Sequence, residues 1–276
     1  MINLVLAFRG LGDTVMTYQI FKRKKDVIYL VRNPGAQEFL ASQQCTYIKV
    51  TNYFTLLLII FKYSFNIKKN FYNAQGDKKI LLNFLKLLGF SVFQSNKTQD
   101  ELALGKQHKI NHYSKTLEVG LVDVVLPETK SLSSLLEVLS QSKRVHVLLD
   151  SAGKEKIPKS LLKIIIQHNF NYVDYGGGSK DERGFRIPRD LGKIDQECDV
   201  IVCSDSGISH WLGFLGYRVC VVFGPTNPYW TGAVGNNVVW FSNDQLDCVP
   251  CQGSKYLLNC NKAINCINDD KYFNSN

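Results

Sequence analysis

The chain has 276 residues, of which 45% are hydrophobic and 12% aromatic, and its formal net charge is +9. That apolar content excludes a disordered chain, and the length suits two domains of roughly 130 residues, each able to bury a core. No apolar run reaches the ~18 residues of a membrane-spanning helix, and Phe54 to Phe61 is cut short by Lys62. Arg9 and Asp13 interrupt the N-terminus where a signal peptide would be uniformly apolar, so the expected location is the cytoplasm, with the inner face of the cytoplasmic membrane within reach. The charge is uneven. Residues 1–135 hold 18 Lys and Arg against 9 Asp and Glu, whereas residues 136–276 hold 15 of each. A basic half beside a neutral one favours an anionic partner such as a phosphorylated glycolipid or an anionic membrane. A lysine-rich composition with solvated helix ends would give the same count. No nucleic-acid-binding motif is present.

In chain order, Asn3 to Phe8 reads as a strand, Arg9 to Asp13 as a loop, Thr14 to Lys24 as a helix and Val27 to Val31 as the next strand. Pro34 opens a helix through Gln43. Tyr47 to Val50 continues the sheet, Tyr53 to Phe65 is a helix packed on it, and the amphipathic Lys78 to Leu88 is stopped by Gly89. A helix from His112 to Gly120 follows. Pro127 and its polar neighbours make 126–133 the expected linker, which sets the domains at 1–130 and 131–276.

Beyond the linker, Val145 to Leu149 is a strand, Lys159 to His168 a helix, Tyr172 to Tyr175 a strand running into Gly176-Gly177-Gly178, and Leu191 to Glu197 a short helix. Val200 to Cys203 is an apolar strand, followed by Ser204-Asp205-Ser206-Gly207, which can cap a helix from Ile208 to Leu215. A strand followed by a helix N-terminus presents free N–H groups and a positive helix end, a good fit for a diphosphate. A further strand, Val219 to Phe223, ends in the turn-forming Gly224-Pro225-Thr226-Asn227-Pro228. Each piece alone is an ordinary cap or turn; on adjacent parallel strands they open onto one crevice. The expected fold class is α/β, two Rossmann-like domains with parallel sheets facing a cleft, plus a C-terminal cysteine finger.

The pattern Asp205-Ser206-Gly207, then His210, then Phe223-Gly224-Pro225-Thr226 resembles the C-terminal signature of the heptosyltransferase-like glycosyltransferases, family 9, which have the GT-B fold. The first loop, Gly10-Leu11-Gly12-Asp13, is similar to the Gly-x-Gly-Asp loop that supplies the general base in that family. Without the resemblance, Asp13 reads as a helix N-cap. With it, Gly10 and Gly12 support a catalytic Asp13 that takes the proton of an acceptor hydroxyl, while Asp205, Ser206, Gly207, His210, Gly224, Pro225 and Thr226 hold the donor. The resemblance implies chemistry that inverts the anomeric centre and needs no metal. Ser151-Ala152-Gly153-Lys154-Glu155-Lys156-Ile157-Pro158 resembles the family's loop of small residues, a base and Trp-Pro, with Ile157 in the place of Trp. The resemblance therefore makes Ser151, Lys154 and Lys156 donor-binding residues, although both lysines also read as solvated first-turn residues. Asn73-Ala74-Gln75-Gly76 and His112 are weaker matches.

The tail holds Cys248, Cys251, Cys260 and Cys266, spaced C-x2-C-x8-C-x5-C. Clustered cytosolic thiols suit a structural zinc or iron, with disulfides or uncombined thiols as the other reading. Family members that heptosylate autotransporter adhesins carry a similar finger that holds iron. Cys45, Cys198, Cys203 and Cys220 read as small core residues or scattered thiols. The whole implies an inverting transferase that moves a sugar, heptose from ADP-heptose, to a lipopolysaccharide core or other surface glycan. Its N-terminal domain would bind the acceptor and its C-terminal domain the nucleotide sugar. An adhesin protein as acceptor, a GT-B-fold epimerase and a non-catalytic nucleotide-sugar binder remain open. An epimerase would release altered sugar without any acceptor, and a retained Asp13 argues against the non-catalytic binder.

Overall fold

The computed structural model describes residues 1–8, 10–73, 79–94, 108–120, 122, 124–148, 159–167, 172–174, 191, 194–242, 249 and 251. These fall into two compact units: residues up to 94 with Lys109–Val124, and His108 with the residues from Val125 onward. The division lies a few residues before the expected one at 130, because the expected linker contains a strand of the second sheet.

The first unit runs β1 (Ile2–Ala7), α1 (Leu11–Phe21), β2 (Val27–Val31), α2 (Pro34–Ser42), β3 (Tyr47–Lys49), α3 (Tyr53–Ser64), β4 (Lys69–Asn73), α4 (Lys79–Leu87), β5 (Ser91–Gln94) and α5 (Lys109–Thr116). Its sheet has the order β3-β2-β1-β4-β5 and every pair is parallel. The central β1 is buried from Asn3 to Ala7, as the near-continuous apolar run of a doubly covered parallel strand requires. Helix starts follow local chemistry. Pro34 opens α2 behind Asn33, whose side chain accepts from Ala36 N at 3.1 Å, and Asn52 caps α3 by accepting from Thr55 N at 2.8 Å. Gly89, at φ +75°, ends α4 as expected. Leu56, Ile59 and Ile60 of α3 share one core with Leu82 and Leu85 of α4 and with Leu4, Leu6, Leu30 and Phe71 of the sheet.

The second unit runs β6 (Thr129–Ser131), a single 3₁₀ turn (Leu132–Ser134), α6 (Leu135–Ser140), β7 (Val145–Leu148), α7 (Lys159–Gln167), β8 (Tyr172–Asp174), β9 (Val200–Ser204), α8 (Gly207–Phe214), β10 (Val219–Phe223), α9 (Pro228–Thr231) and β11 (Val238–Ser242). The order is β6-β11-β10-β9-β7-β8, again all parallel. Cys203 and Cys220 are core residues, as expected, and burial pushes both thiols up, Cys220 to about 12; Cys198 is exposed instead.

Several expected elements differ. Within 191–197, the described residues end in a turn rather than a helix, because Asp195 Oδ1 accepts from Glu197 N at 3.0 Å and closes an Asx turn. The helix expected from His112 begins at Lys109, and the helix expected from Thr14 begins at Leu11. Gly176–Gly178 lie outside the described residues.

Beneath β7 and β9 lies a buried charge cluster. Asp199 accepts from Arg144 Nη2 at 2.7 Å, from the backbone N–H of Asp195 at 2.9 Å, and is 3.0 Å from His146 Nε2. Burial pushes the Asp199 carboxyl up, but these donors and the Arg144 charge outweigh it and hold the pKa at about 2. The cluster ties the amino ends of β7 and β9, away from the ends where ligands bind in such sheets.

Candidate active site

Each unit carries its share of the candidate residues at the carboxyl ends of its strands. In the first, β1 is the strand at which the order reverses, since β2 and β3 lie to one side and β4 and β5 to the other. That is where a doubly wound sheet opens a crevice. The chain leaves β1 and enters α1 behind Gly10, which is extended at φ −109° and ψ −178°. Asp13 is therefore not a loop residue or an N-cap. It sits inside the first turn, with Gly12 and Thr14 buried on either side of it. Thr17 Oγ1 donates to the Asp13 carbonyl at 2.6 Å, and Thr14 Oγ1 donates to the Gly10 carbonyl at 3.0 Å. The two threonines are packed inward and keep the turn in register.

The Asp13 carboxylate has a partner that sequence reading missed. Lys109 Nζ donates to Asp13 Oδ1 in an ion pair, and the side chains are 9% and 19% exposed, lysine first. Burial alone would lower the Lys109 pKa, but the Asp13 charge and Tyr113 together hold it above the ordinary lysine value. Lys109 opens α5, which packs against α1, and its ammonium lies 5.3 Å from the Tyr113 ring centroid. Ninety-six residues separate the pair, and nothing in the local pattern at Lys109 marks it. Among the described residues beyond its chain neighbours, a Cβ at Gly10 would meet nothing within 4 Å, and φ is not positive.

In the second unit β9 and β10 are adjacent and parallel, with Ser204 opposite Val222, and Asp205 N–H extends the ladder to the Val222 carbonyl at 3.2 Å. The loops Asp205–Gly207 and Gly224–Thr226 thus leave the same edge side by side, as expected. Ser206 is the N-cap of α8. Ser209 Oγ donates to its carbonyl at 2.7 Å and accepts from its N–H at 3.4 Å, the side-chain half of a capping box. His210 lies in the first full turn of α8 and is buried. Thr226 is half-buried, and Asn227 caps α9 by accepting from Tyr229 N at 3.0 Å. Close packing fixes this edge from behind. A Cβ at Gly235 would come within 2.4 Å of the Gly213 carbonyl oxygen, and one at Gly232 within 2.6 Å of Trp240. Trp240 Nε1 donates to Ala233 O at 2.7 Å, and His108 Nε2 lies 2.9 Å from Gly232 O.

Ser151, Lys154 and Lys156 lie outside the described residues. The strand from which their loop departs, β7, is the neighbour of β9, with Leu148 opposite Cys203. Of the four tail cysteines, Cys248, Cys260 and Cys266 also lie outside the described residues. Cys251 donates its N–H to the Pro225 carbonyl at 3.0 Å. Among the described residues there is no group of three or more metal-ligating side chains.

Comparison with known proteins adds a class. Residues 190–261 match the family model described as Glycosyltransferase family 9 (heptosyltransferase), a segment that contains both strand-end loops of the second unit and Cys251. The fold extends the likeness to nearly the whole chain. It is similar to the structure of Escherichia coli heptosyltransferase WaaC with ADP, at 14% identity and a TM-score of 0.54, over 94% of this chain and 98% of that one. It is also similar to the E. coli ADP-heptose LPS heptosyltransferase II, at 13% identity and a TM-score of 0.51, over 96% and 98%. The two parallel-sheet units are thus those of the GT-B heptosyltransferase fold. No curated protein sequence matches.

Proposed function

We propose that the protein is an inverting glycosyltransferase that moves a sugar from a nucleotide diphosphate to a hydroxyl acceptor. The observation that carries this reading is the pair of polar loops at the shared edge of β9 and β10, inside the segment that matches the family model. The acceptor hydroxyl loses its proton to the Asp13 carboxylate as its oxygen attacks the anomeric carbon. The bond from that carbon to the phosphate oxygen breaks, and the diphosphate leaves with the electron pair. Attack from the opposite face inverts the centre. The amides of Ser206 and Gly207 at the start of α8, with the hydroxyls of Ser206 and Thr226, take up the charge on the leaving group. Lys154 and Lys156 add positive charge, and His210 contacts the donor. Lys109 anchors one oxygen of Asp13, and this reading gives the proton to the other.

The donor reading is ADP-heptose, in line with the ADP and ADP-heptose named for the two similar structures. The acceptor reading is a lipopolysaccharide core or other surface glycan, with an adhesin protein as the other candidate, and the setting is the cytoplasm. Cys248, Cys251, Cys260 and Cys266 are proposed to hold one zinc or iron, since four thiols form a soft donor set. Through the bond from Cys251 to Pro225, such an ion would brace the Gly-Pro-Thr turn and take no part in transfer. Calorimetric titration with ADP tests the donor half. Saturable binding that Ser206→Pro abolishes supports it, and equal binding by that variant moves the diphosphate elsewhere.

A further inference from the structure

α3 is apolar on two faces, and only one of them is covered. Leu56, Ile59 and Ile60 enter the core, while Phe54, Leu57, Leu58, Phe61 and Phe65 are exposed. Those five follow i, i+3, i+4, i+7 and i+11, the spacing of one continuous helical stripe directed away from the sheet. Phe61 and Phe65 meet edge to face with ring centroids 5.3 Å apart. The neighbouring α4 repeats the arrangement. Leu82 and Leu85 enter the same core, and Ile80, Phe84 and Leu87 are exposed at i, i+4 and i+7. Ile67, in the loop after α3, is fully exposed. Apolar surface on this scale at the outside of one layer marks a docking face.

The charge around it selects the occupant. Residues 39–99 contain eight lysines and one aspartate, a net charge of +7, and Lys62, Lys68 and Lys86 are exposed beside the apolar stripes. A second copy meeting the same face would bring like charges together. Aromatic and aliphatic side chains fringed by lysines suit the headgroup boundary of an anionic bilayer, where the apolar face sinks in and each ammonium meets lipid phosphate. At 12 residues α3 is about 18 Å long, too short to cross a hydrocarbon core of about 30 Å, and among the described residues no helix is long and apolar enough to cross a membrane. We infer that the outer face of α3 and α4 rests on an anionic lipid bilayer, with Phe54, Leu57, Leu58, Phe61 and Phe65 as the inserted residues. This goes beyond sugar transfer and does not depend on it.

The test is co-sedimentation of the full chain with vesicles of phosphatidylcholine and phosphatidylglycerol, against vesicles of phosphatidylcholine alone, at low and high salt. The anionic vesicles should bind the protein at least about tenfold more tightly than the neutral ones, and salt should erase most of that difference. Phe61→Ser with Phe65→Ser should weaken binding by about tenfold or more at a nearly unchanged melting temperature, because both side chains are exposed. Ile80→Ser with Leu87→Ser is an independent second variant with the same expectation. Lys62→Gln and Lys68→Gln should each cost about fivefold on anionic vesicles. Failure of the wild type to sediment with anionic vesicles overturns the inference, as does undiminished binding by both double variants. Self-association that Phe61→Ser with Phe65→Ser abolishes, without vesicle binding, assigns the face to a second copy and overturns it too.

Discussion

Replacing Lys109 by Met would remove the ion-pair partner that the Asp13 carboxylate has among the described residues, in a site where both side chains are largely removed from water. Breaking a fully buried pair costs about 3–5 kcal/mol, and an exposed pair contributes about 0–1 kcal/mol. With Asp13 19% exposed, the loss should fall between these limits, at about 2–3 kcal/mol. For a unit of this size that lowers the melting temperature by about 5–15 °C. Asp13→Asn leaves the more deeply buried ammonium unpaired and should cost at least as much. The decisive quantity is the coupling, measured as a double-mutant cycle of Lys109→Met, Asp13→Asn and both together by urea unfolding. The double variant should recover about 1–3 kcal/mol relative to the sum of the singles. Lys109 has a raised pKa, so its stabilisation is complete below the unfolded lysine value of about 10.4, and the cycle at neutral pH reads it in full. Additivity within about 0.5 kcal/mol would mean that the ion pair contributes nothing and that Lys109 does not hold the carboxylate in place.

Asp199→Ala should destabilise the second unit by about 2–4 kcal/mol, because Arg144 and the Asp195 amide lose a buried acceptor, and a chemical-denaturation midpoint checks it. The Asp199 pKa is lowered to about 2, so its contribution is present above the unfolded value near 3.8 and is lost as the pH falls through 2. The wild type should therefore lose about 2 kcal/mol across that window, and Asp199→Asn should show a shallower acid limb in the same titration. Gly235→Ala should lower the melting temperature, since the added carbon meets the Gly213 carbonyl oxygen at 2.4 Å, whereas Gly10→Ala should leave stability nearly unchanged and reduce turnover. Protein purified under reducing conditions should carry about one zinc or iron per chain by elemental analysis, and Cys251→Ser should lose it.

Much of the fold was legible because both sheets are parallel and their central strands are short apolar runs bounded by turn residues. β1, β2, β9 and β10 fall within one residue of their expected bounds. β6 was not legible. Thr129–Ser131 is a polar three-residue edge strand with no period to read, defined by its pairing with β11. The site was legible where its residues are consecutive, as in Asp205–Gly207 and Gly224–Thr226. It was not legible where the fold joins distant segments, as at Lys109. Asp13 was misplaced by a turn because an aspartate after glycine reads as a cap, whereas Gly10 itself is the N-cap and the helix begins at Leu11. The largely apolar α3 reads as a helix packed on the sheet, and only the fold separates its covered stripe from its exposed one.

The central claim is sugar transfer with Asp13 as the base, and one measurement addresses it most directly: the products formed from ADP-heptose and a heptose-deficient lipopolysaccharide acceptor, followed by mass spectrometry and anomeric NMR. The wild type should form ADP and an inverted glycoside in equal amounts, and a folded Asp13→Asn variant that still binds ADP should do so about 10²–10⁴ times more slowly. Near-normal transfer by that variant, or conversion of the donor sugar without any acceptor, would contradict the account.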